Sequence, residues 1–231
     1  MPEPATMKVA IVAALEREIW PLVKSWSSRR VESGDREFQL FEQGGSVAVC
    51  GGIGAEAARR TCEAVIAICK PDWIISAGYA GALSLNLKVG EVLRPVKIID
   101  ASDGSSAASD GISGVLVSTN SVASVAQKRK LADAYGANAV DMEAAAVAKS
   151  AMLHGIRFLA VKAISDDASF EVPNVDDAVD ERGRFHTGKF AAHVIFRPWV
   201  WRRVAQMGAN SATASEVLSQ TLKEMLKSDC G

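Results

Sequence analysis

The sequence lacks the features that would assign it to several common functional classes. Its formal net charge is -1, so no excess of one sign indicates a partner such as nucleic acid or an anionic membrane. It has no run of about 18 uncharged apolar residues, the length that a membrane-spanning helix needs. The short polar segment 1–6 is not followed by the apolar h-region of a signal peptide either, so we expect neither a membrane span nor a signal peptide.

Cysteine and histidine are also scarce. The four cysteines, which form no CxxC pair, are Cys50, Cys62, Cys69 and Cys230. They are too few for a disulfide framework in 231 residues, so we expect reduced thiols in a cytoplasmic protein. The three histidines have no spacing typical of metal ligands. We therefore expect neither a metal nor another cofactor.

Apolar residues, in contrast, make up 48% of the chain, enough for the core of one large domain covering residues 1–231. Short apolar runs that read as buried strands alternate with helical patterns, and this alternation is typical of an α/β fold. The clearest runs and helices are 8–13, 47–50, 55–69, 72–76, 122–135 and 158–164. A helical C-terminal part is expected from about 190, with interruptions near Pro198 and Gly208.

The alanine-rich stretch 139–148 contains the first candidate site residue. Alanine is the best helix former, so a helix is expected to begin near Met142, with Glu143 in its first turn. The helix dipole favours a carboxylate there. Such a carboxylate can accept hydrogen bonds from the two hydroxyls of a ribose, although an acidic first turn is also typical of an ordinary packing helix.

Two more acidic residues follow apolar strands. Glu18 comes shortly after strand 8–13, and Asp166 directly after strand 158–164. Ligands bind at the carboxyl ends of strands in open α/β sheets, although both residues could also stabilise helix ends. Together with Glu143 they suggest one acidic cleft, without identifying a reaction.

Other patterns carry weaker signals. The glycine-rich turn 51–54 could hold a phosphate, but it matches neither GxGxxG nor a P-loop, and close backbone packing explains it equally well. The small-residue segment 77–82 is expected to be a turn, and 102–113 a surface loop. The basic cluster Lys128, Arg129 and Lys130 is expected to be the solvated face of helix 122–135.

An aromatic and basic cluster lies near the C-terminus. Its aromatic members are Phe196, Trp199 and Trp201, which stand among arginines. Helix packing with extended arginine side chains explains this composition. The alternative is a hydrophobic entrance or a peripheral membrane contact.

Several motifs in the same order resemble the nucleoside phosphorylase/nucleosidase superfamily, and within it the 5′-methylthioadenosine/S-adenosylhomocysteine nucleosidases. They are the segments 9–18, 69–72, 77–81, 87–90, 140–144 and 163–166. The resemblance implies a three-layer α/β/α sandwich with a central mixed, partly barrel-like sheet. It also implies a homodimer or larger assembly, a small purine nucleoside as substrate, and no metal.

The resemblance assigns roles to matching positions. Glu18 falls where the hydrolases place the base that activates water. Glu143 falls on the carboxylate that binds the ribose hydroxyls, with Met142 packing beside the sugar. Asp166, next to Ser165, falls on the acid that protonates N7 of the purine, so we expect it to be largely buried and neutral. The implied reaction is hydrolysis of the N-glycosidic bond of a 5′-substituted adenosine.

The sequence departs from the family in several places. Where the phosphorylases hold phosphate with an arginine and a serine, this chain has Ser76 and Tyr79, which favours water as the nucleophile. Gly78 of the same segment is expected to contact substrate, and Tyr79 to crowd the ribose end. The aromatic that stacks on the base in the nucleosidases is replaced by about Val122, so Phe170 is an alternative stacking residue.

Three alternatives stay open. A phosphate-dependent purine nucleoside phosphorylase is the nearest. The tryptophan- and arginine-rich C-terminal part also resembles the hopanoid-associated branch of the superfamily, which is thought to remove adenine from adenosylhopane. The third alternative is a non-catalytic nucleoside-binding protein on the same fold.

Overall fold

A computed structural model describes residues 7–34, 36–172 and 201–228, and these residues form eleven strands and five helices. The strands are β1 (Val9–Ala13), β2 (Ser27–Ser33), β3 (Arg36–Gln43), β4 (Ser46–Cys50), β5 (Trp73–Ala82), β6 (Val92–Leu93), β7 (Lys97–Asp100), β8 (Ser106–Ala108), β9 (Val115–Ser118), β10 (Ala139–Asp141) and β11 (Arg157–Asp166). The helices are α1 (Glu16–Val23), α2 (Ala55–Cys69), α3 (Val125–Tyr135), α4 (Ala144–Leu153) and α5 (Trp201–Ser228).

The strands form one mixed sheet. Its main order is β2-β3-β4-β1-β5-β10-β9-β7-β8, and β11 lies along β5 with β6 on its other side. The pairs β1–β4, β1–β5, β5–β11, β9–β10 and β7–β9 are parallel, and the remaining pairs are antiparallel. This order confirms the predicted α/β fold with a mixed sheet, and the sheet is not closed into a barrel.

The two faces of the sheet have separate cores because side chains alternate along a strand. In β1, Ala10 and Val12 pack in a cluster with residues of α2 and α4. Val9, Ile11 and Ala13 point to the other face and pack with residues of α1 and α5. Helices therefore cover both faces and give three layers.

Strand β5 differs from the prediction for its second half. The segment 77–82 is not a turn, because it continues the strand to Ala82. Pairing with β11 extends to Gly81, and β10 pairs antiparallel with Gly81 and Ala82. Two neighbours approach this backbone closely, so small residues suit a strand here as well as a turn.

The remaining differences concern the loop and the C-terminal helix. The stretch 102–113 contains the short strand β8, which pairs with β7. Helix α5 passes through Gly208 without a break, so the expected interruption there is wrong. Burial of Ala214, Leu218 and Leu222 against the sheet outweighs the roughly 1 kcal/mol that a glycine costs a helix. Pro198 lies outside the described residues.

No helix in the described part of the chain is long and apolar enough to cross a membrane.

Candidate active site

A cavity of about 990 Å³ opens where the carboxyl ends of β1, β5 and β11 meet the beginnings of α1 and α4. Glu18, Glu143 and Asp166 all line it, although they lie far apart in the chain. Ligand pockets in proteins span about 300–1,000 Å³, so this one has room for more than a sugar and a base.

Glu18 lies in the first turn of α1, where Leu15 is the N-cap residue. The Leu15 amide donates to its Oε2 at 3.4 Å. The side chain is buried, with only 6% of the residue exposed. Burial, and next the charge of Glu143, raise the pKa of Glu18 to about 7, while Lys162 opposes the shift. A carboxylate with this pKa can exchange protons near neutral pH.

Glu143 is the N-cap residue of α4. Its Oε1 accepts from the Gly54 amide at 2.8 Å and its Oε2 from the Met142 amide at 3.3 Å. Gly54 belongs to the glycine-rich turn before α2, so that turn holds a carboxylate of the protein itself. Burial, and next the charge of Asp141, raise the pKa of Glu143. Each oxygen keeps a lone pair that can accept a ligand hydroxyl.

A buried ion pair lies beneath these two acids. Lys162 of β11, 1% exposed, places its Nζ 2.9 Å from Oδ2 of Asp141. Asp141 also accepts from the Ser118 hydroxyl at 2.5 Å and the Ala144 amide at 2.8 Å. Burial alone would lower the pKa of Lys162, but the carboxylates of Asp141 and Glu143 outweigh it and raise the pKa. The lysine therefore stays charged and offsets part of the negative charge of the site.

Sequence reasoning missed Lys162, although a signal was present. A lysine within the apolar run 158–164 of a central strand needs a buried partner, since buried charges are paired. Its partner, Asp141, lies in the same motif 140–144 as Glu143.

Asp166 is the last residue of β11 and is 9% exposed, so the prediction that it is largely buried is confirmed. Its Oδ1 accepts from the Ser165 hydroxyl at 2.8 Å. Its Oδ2 lies 2.5 Å from Nζ of Lys128. The Asp166 carboxyl therefore faces a cation, a partner that the sequence did not indicate.

The expectation that Lys128 belongs to a solvated face is wrong. Lys128 is 2% exposed, whereas its neighbours Arg129 and Lys130 are exposed as expected. Helix α3 turns this one side chain inward, and its Nζ also donates to the carbonyls of Asp167 at 2.8 Å and Phe170 at 3.2 Å.

The other predicted site residues are distributed as follows. Met142, Ser165, Tyr79 and Val122 line the cavity. Gly78 lies behind Glu18: a Cβ atom there would come within 3.0 Å of Glu18 Oε2. Phe170 is buried and is not among the described residues that line the cavity.

Helix α5 forms the outer wall of the cavity. The Tyr79 hydroxyl donates to the Ser211 carbonyl at 2.9 Å, and the Ser215 hydroxyl donates to the Arg17 carbonyl at 2.9 Å. Burial raises the pKa of Tyr79 to about 12, so its hydroxyl stays a donor at neutral pH. These bonds hold α5 across the mouth, opposite α1.

Part of the cavity wall is apolar. Trp20 and Pro21 of α1 and Met207 and Ala212 of α5 contribute to it. Trp201 is 54% exposed at the start of α5, and Phe196 and Trp199 lie outside the described residues. Peripheral membrane contact through these aromatic residues stays a prediction.

Within the described ranges, no group of three or more histidine, cysteine, aspartate or glutamate side chains is placed to hold a metal ion.

Comparison with known proteins gives two kinds of sequence match. A family model described as the phosphorylase superfamily matches residues 8–114 and 109–196. The 5′-methylthioadenosine/S-adenosylhomocysteine nucleosidase of Haemophilus influenzae (strain PittGG) is 34% identical over 91 residues, which cover 38% of this chain and 39% of that protein. The match to this relative thus spans well under half of its length.

Solved structures match over nearly the whole chain. The apo structure of Arabidopsis thaliana 5′-methylthioadenosine nucleosidase has a TM-score of 0.75 at 19% identity and covers 99% of this chain and 98% of its own. The Colwellia psychrerythraea 34H 5′-methylthioadenosine/S-adenosylhomocysteine nucleosidase, in complex with adenine, has a TM-score of 0.72 at 18% identity and covers 97% and 96%. At these identities the likeness concerns the fold.

Proposed function

The chain belongs to the phosphorylase superfamily, and from that premise we propose that it hydrolyses the N-glycosidic bond of a 5′-substituted adenosine and releases adenine. The observation that carries the proposal is the convergence of Glu18, Glu143 and Asp166 on one cavity. The relatives named above are nucleosidases for methylthioadenosine or adenosylhomocysteine, and this supports the same substrate class here.

Each acid has a role that fits its surroundings. Breaking the bond between C1′ and N9 leaves a cationic sugar and an anionic base, and both need stabilisation. Glu18, whose pKa is about 7, takes the proton of the attacking water. Glu143 accepts from the ribose hydroxyls with the lone pairs that its two backbone donors leave free. Asp166 gives a proton to N7 of the departing base.

The apolar residues of the cavity wall support an apolar 5′ substituent. Trp20, Pro21, Met207 and Ala212 can bury a methylthio group or a longer hydrocarbon. The cavity volume of about 990 Å³ favours the adenosylhopane-type reaction as the second candidate function, since a lipid-like substituent needs more room than a methylthio group.

We also propose that the protein acts in the cytoplasm as a homodimer. Leu85, Ile112 and Leu153 are exposed apolar side chains that an interface would cover. The thiols of Cys50, Cys62 and Cys69 are free, which suits a reducing compartment.

Adenine release tests the reaction directly. The wild-type protein should release adenine from methylthioadenosine, adenosylhomocysteine or an adenosylated lipid at the same rate with and without phosphate. Strict dependence on phosphate would instead identify a phosphorylase. Binding of these nucleosides without release of base would identify a non-catalytic binding protein.

Gly81→Ala should slow the reaction without unfolding the protein. A Cβ atom at this position would lie 2.8 Å from Oδ2 of Asp166, closer than side chains tolerate, so the carboxyl must move. A shift of this kind can lower kcat about 10- to 100-fold. Steady-state kinetics should show a lower kcat with little change in KM, and thermal unfolding should show little change in the melting temperature. A wild-type kcat would mean that the reaction does not depend on this placement of Asp166.

A further inference from the structure

We propose that Lys128 supplies the proton that Asp166 passes to the leaving base, and that the two side chains work as one proton-donating pair. The inference rests on the proposed function. Lys128 acts through Asp166 and is therefore a positioning residue.

The geometry of the ammonium group supports this role. Its nitrogen has three hydrogens and three acceptors: Asp166 Oδ2 at 2.5 Å and the carbonyls of Asp167 and Phe170. The side chain is 2% exposed and still lines the cavity. A lysine that only solubilised the helix would point to water.

Burying the charged Lys128 side chain near the start of α3 costs free energy. Burying a charge requires a partner, and the first turns of a helix carry the positive end of its dipole. Lys128 is the fourth residue of α3, so Asp166 and two carbonyls must offset both costs. The same contact places the Lys128 ammonium, which carries protons, directly against the Asp166 carboxyl.

Other charged groups around the pair do not replace Lys128. Ser169, and more weakly Lys128, lower the pKa of Asp167, so that carboxylate holds no proton at neutral pH. Glu171 accepts from the Val125 amide at 3.1 Å, at the start of α3. The exposed charges of α3 are Arg129, Lys130 and Asp133. The other described acids that line the cavity are Glu18, Asp141, Glu143 and Glu216.

The proton balance is complete with these groups. The electron pair of the C1′–N9 bond stays on the base, whose N7 takes a proton from Asp166. Asp166 takes one from the Lys128 ammonium, which becomes a neutral amine. The water oxygen bonds to C1′ and its proton goes to Glu18. After product release Glu18 returns a proton to solvent and Lys128 takes one up.

Two variants and a control test this role through the pH profile of kcat. Lys128→Met removes the donor and fills the buried space. Lys128→Arg keeps the charge but cannot give up a proton, because guanidinium stays protonated in proteins. Lys130→Met changes an exposed lysine of the same helix and should match wild type.

The expected patterns differ. Relative to wild type at the same pH, Lys128→Met should lose about 100-fold in kcat near pH 8 and less than about fivefold near pH 5.5, where protons from solvent can replace those of Lys128. Lys128→Arg should lose about 100-fold in kcat at both pH values, because the guanidinium takes the place of the ammonium and gives up no proton. KM should change little in either variant.

Two results would overturn the role of Lys128. One is that kcat of Lys128→Met falls by the same factor at all pH values, or does not fall at all. The other is recovery of kcat by Lys128→Arg, which would reduce the role to charge alone. Failure of the proposed function is distinguishable, since the wild-type protein itself would then release no base from any nucleoside.

Discussion

Replacing Asp166 with asparagine is expected to lower kcat for adenine release by about three orders of magnitude. Asparagine keeps the shape of the side chain and removes the only proton that this position can pass to N7, and general acids contribute about 10²–10⁴-fold. The measurement is single-turnover release of adenine from methylthioadenosine, compared with wild type at the same pH. Near-wild-type turnover would remove Asp166 from the acid role.

The same substitution should also lower stability, because Lys128 loses its counter-charge. Removing one member of a buried ion pair costs about 3–5 kcal/mol, and the two carbonyls that remain on Lys128 reduce this toward the lower figure. The double variant Asp166→Asn with Lys128→Met removes both charges and should regain most of the stability. It should not regain activity. This variant separates loss of the acid from loss of the fold.

Glu18→Gln is expected to have two opposite effects, loss of activity and gain of stability. Glutamine cannot take the proton of the attacking water, so kcat should fall about 10²–10⁴-fold. In wild type, kcat should rise with pH through about 7 as Glu18 ionises, and this limb should disappear in the variant. A retained limb would show that another group activates the water.

The gain of stability follows from the raised pKa of Glu18. Between pH 4.5 and about 7 the folded protein holds a proton on Glu18 that the unfolded chain has lost, so the free energy of unfolding falls as pH rises through this window. Above about pH 7 the free energy of unfolding is lower by the full cost of ionising the buried Glu18, about 3 kcal/mol. Glutamine carries no such penalty.

Thermal unfolding at two pH values tests this gain. Glu18→Gln should raise the melting temperature by several degrees near pH 8, since 1 kcal/mol corresponds to about 2–4 °C for a chain of this size. Near pH 5 the gain should be close to zero. Glu16→Gln, at an exposed position in the same turn, is the matched control and should change neither property. Equal melting temperatures for wild type and Glu18→Gln near pH 8 would contradict the argument.

The limits of sequence reasoning can be seen at two kinds of position. Helix α2 begins and ends where the pattern predicts, because a glycine turn and Pro71 bound it locally. The segment 77–82 reads as a turn from its small residues, yet it is strand because β10 and β11 supply its partners. The contacts that make this segment a strand therefore come from parts of the chain that are distant in sequence.

Local signals along the chain suffice to predict the alternation of strands and helices and the positions of Glu18, Glu143 and Asp166 at the ends of these elements. Hydrophobic periodicity and end signals lie within a few residues of each other, so both can be read along the chain. The inward turn of Lys128 to Asp166 and the pairing of Lys162 with Asp141 depend on how the folded elements pack together. These contacts join residues of different elements, 38 positions apart in the first pair, and only packing excludes the water that would otherwise solvate them.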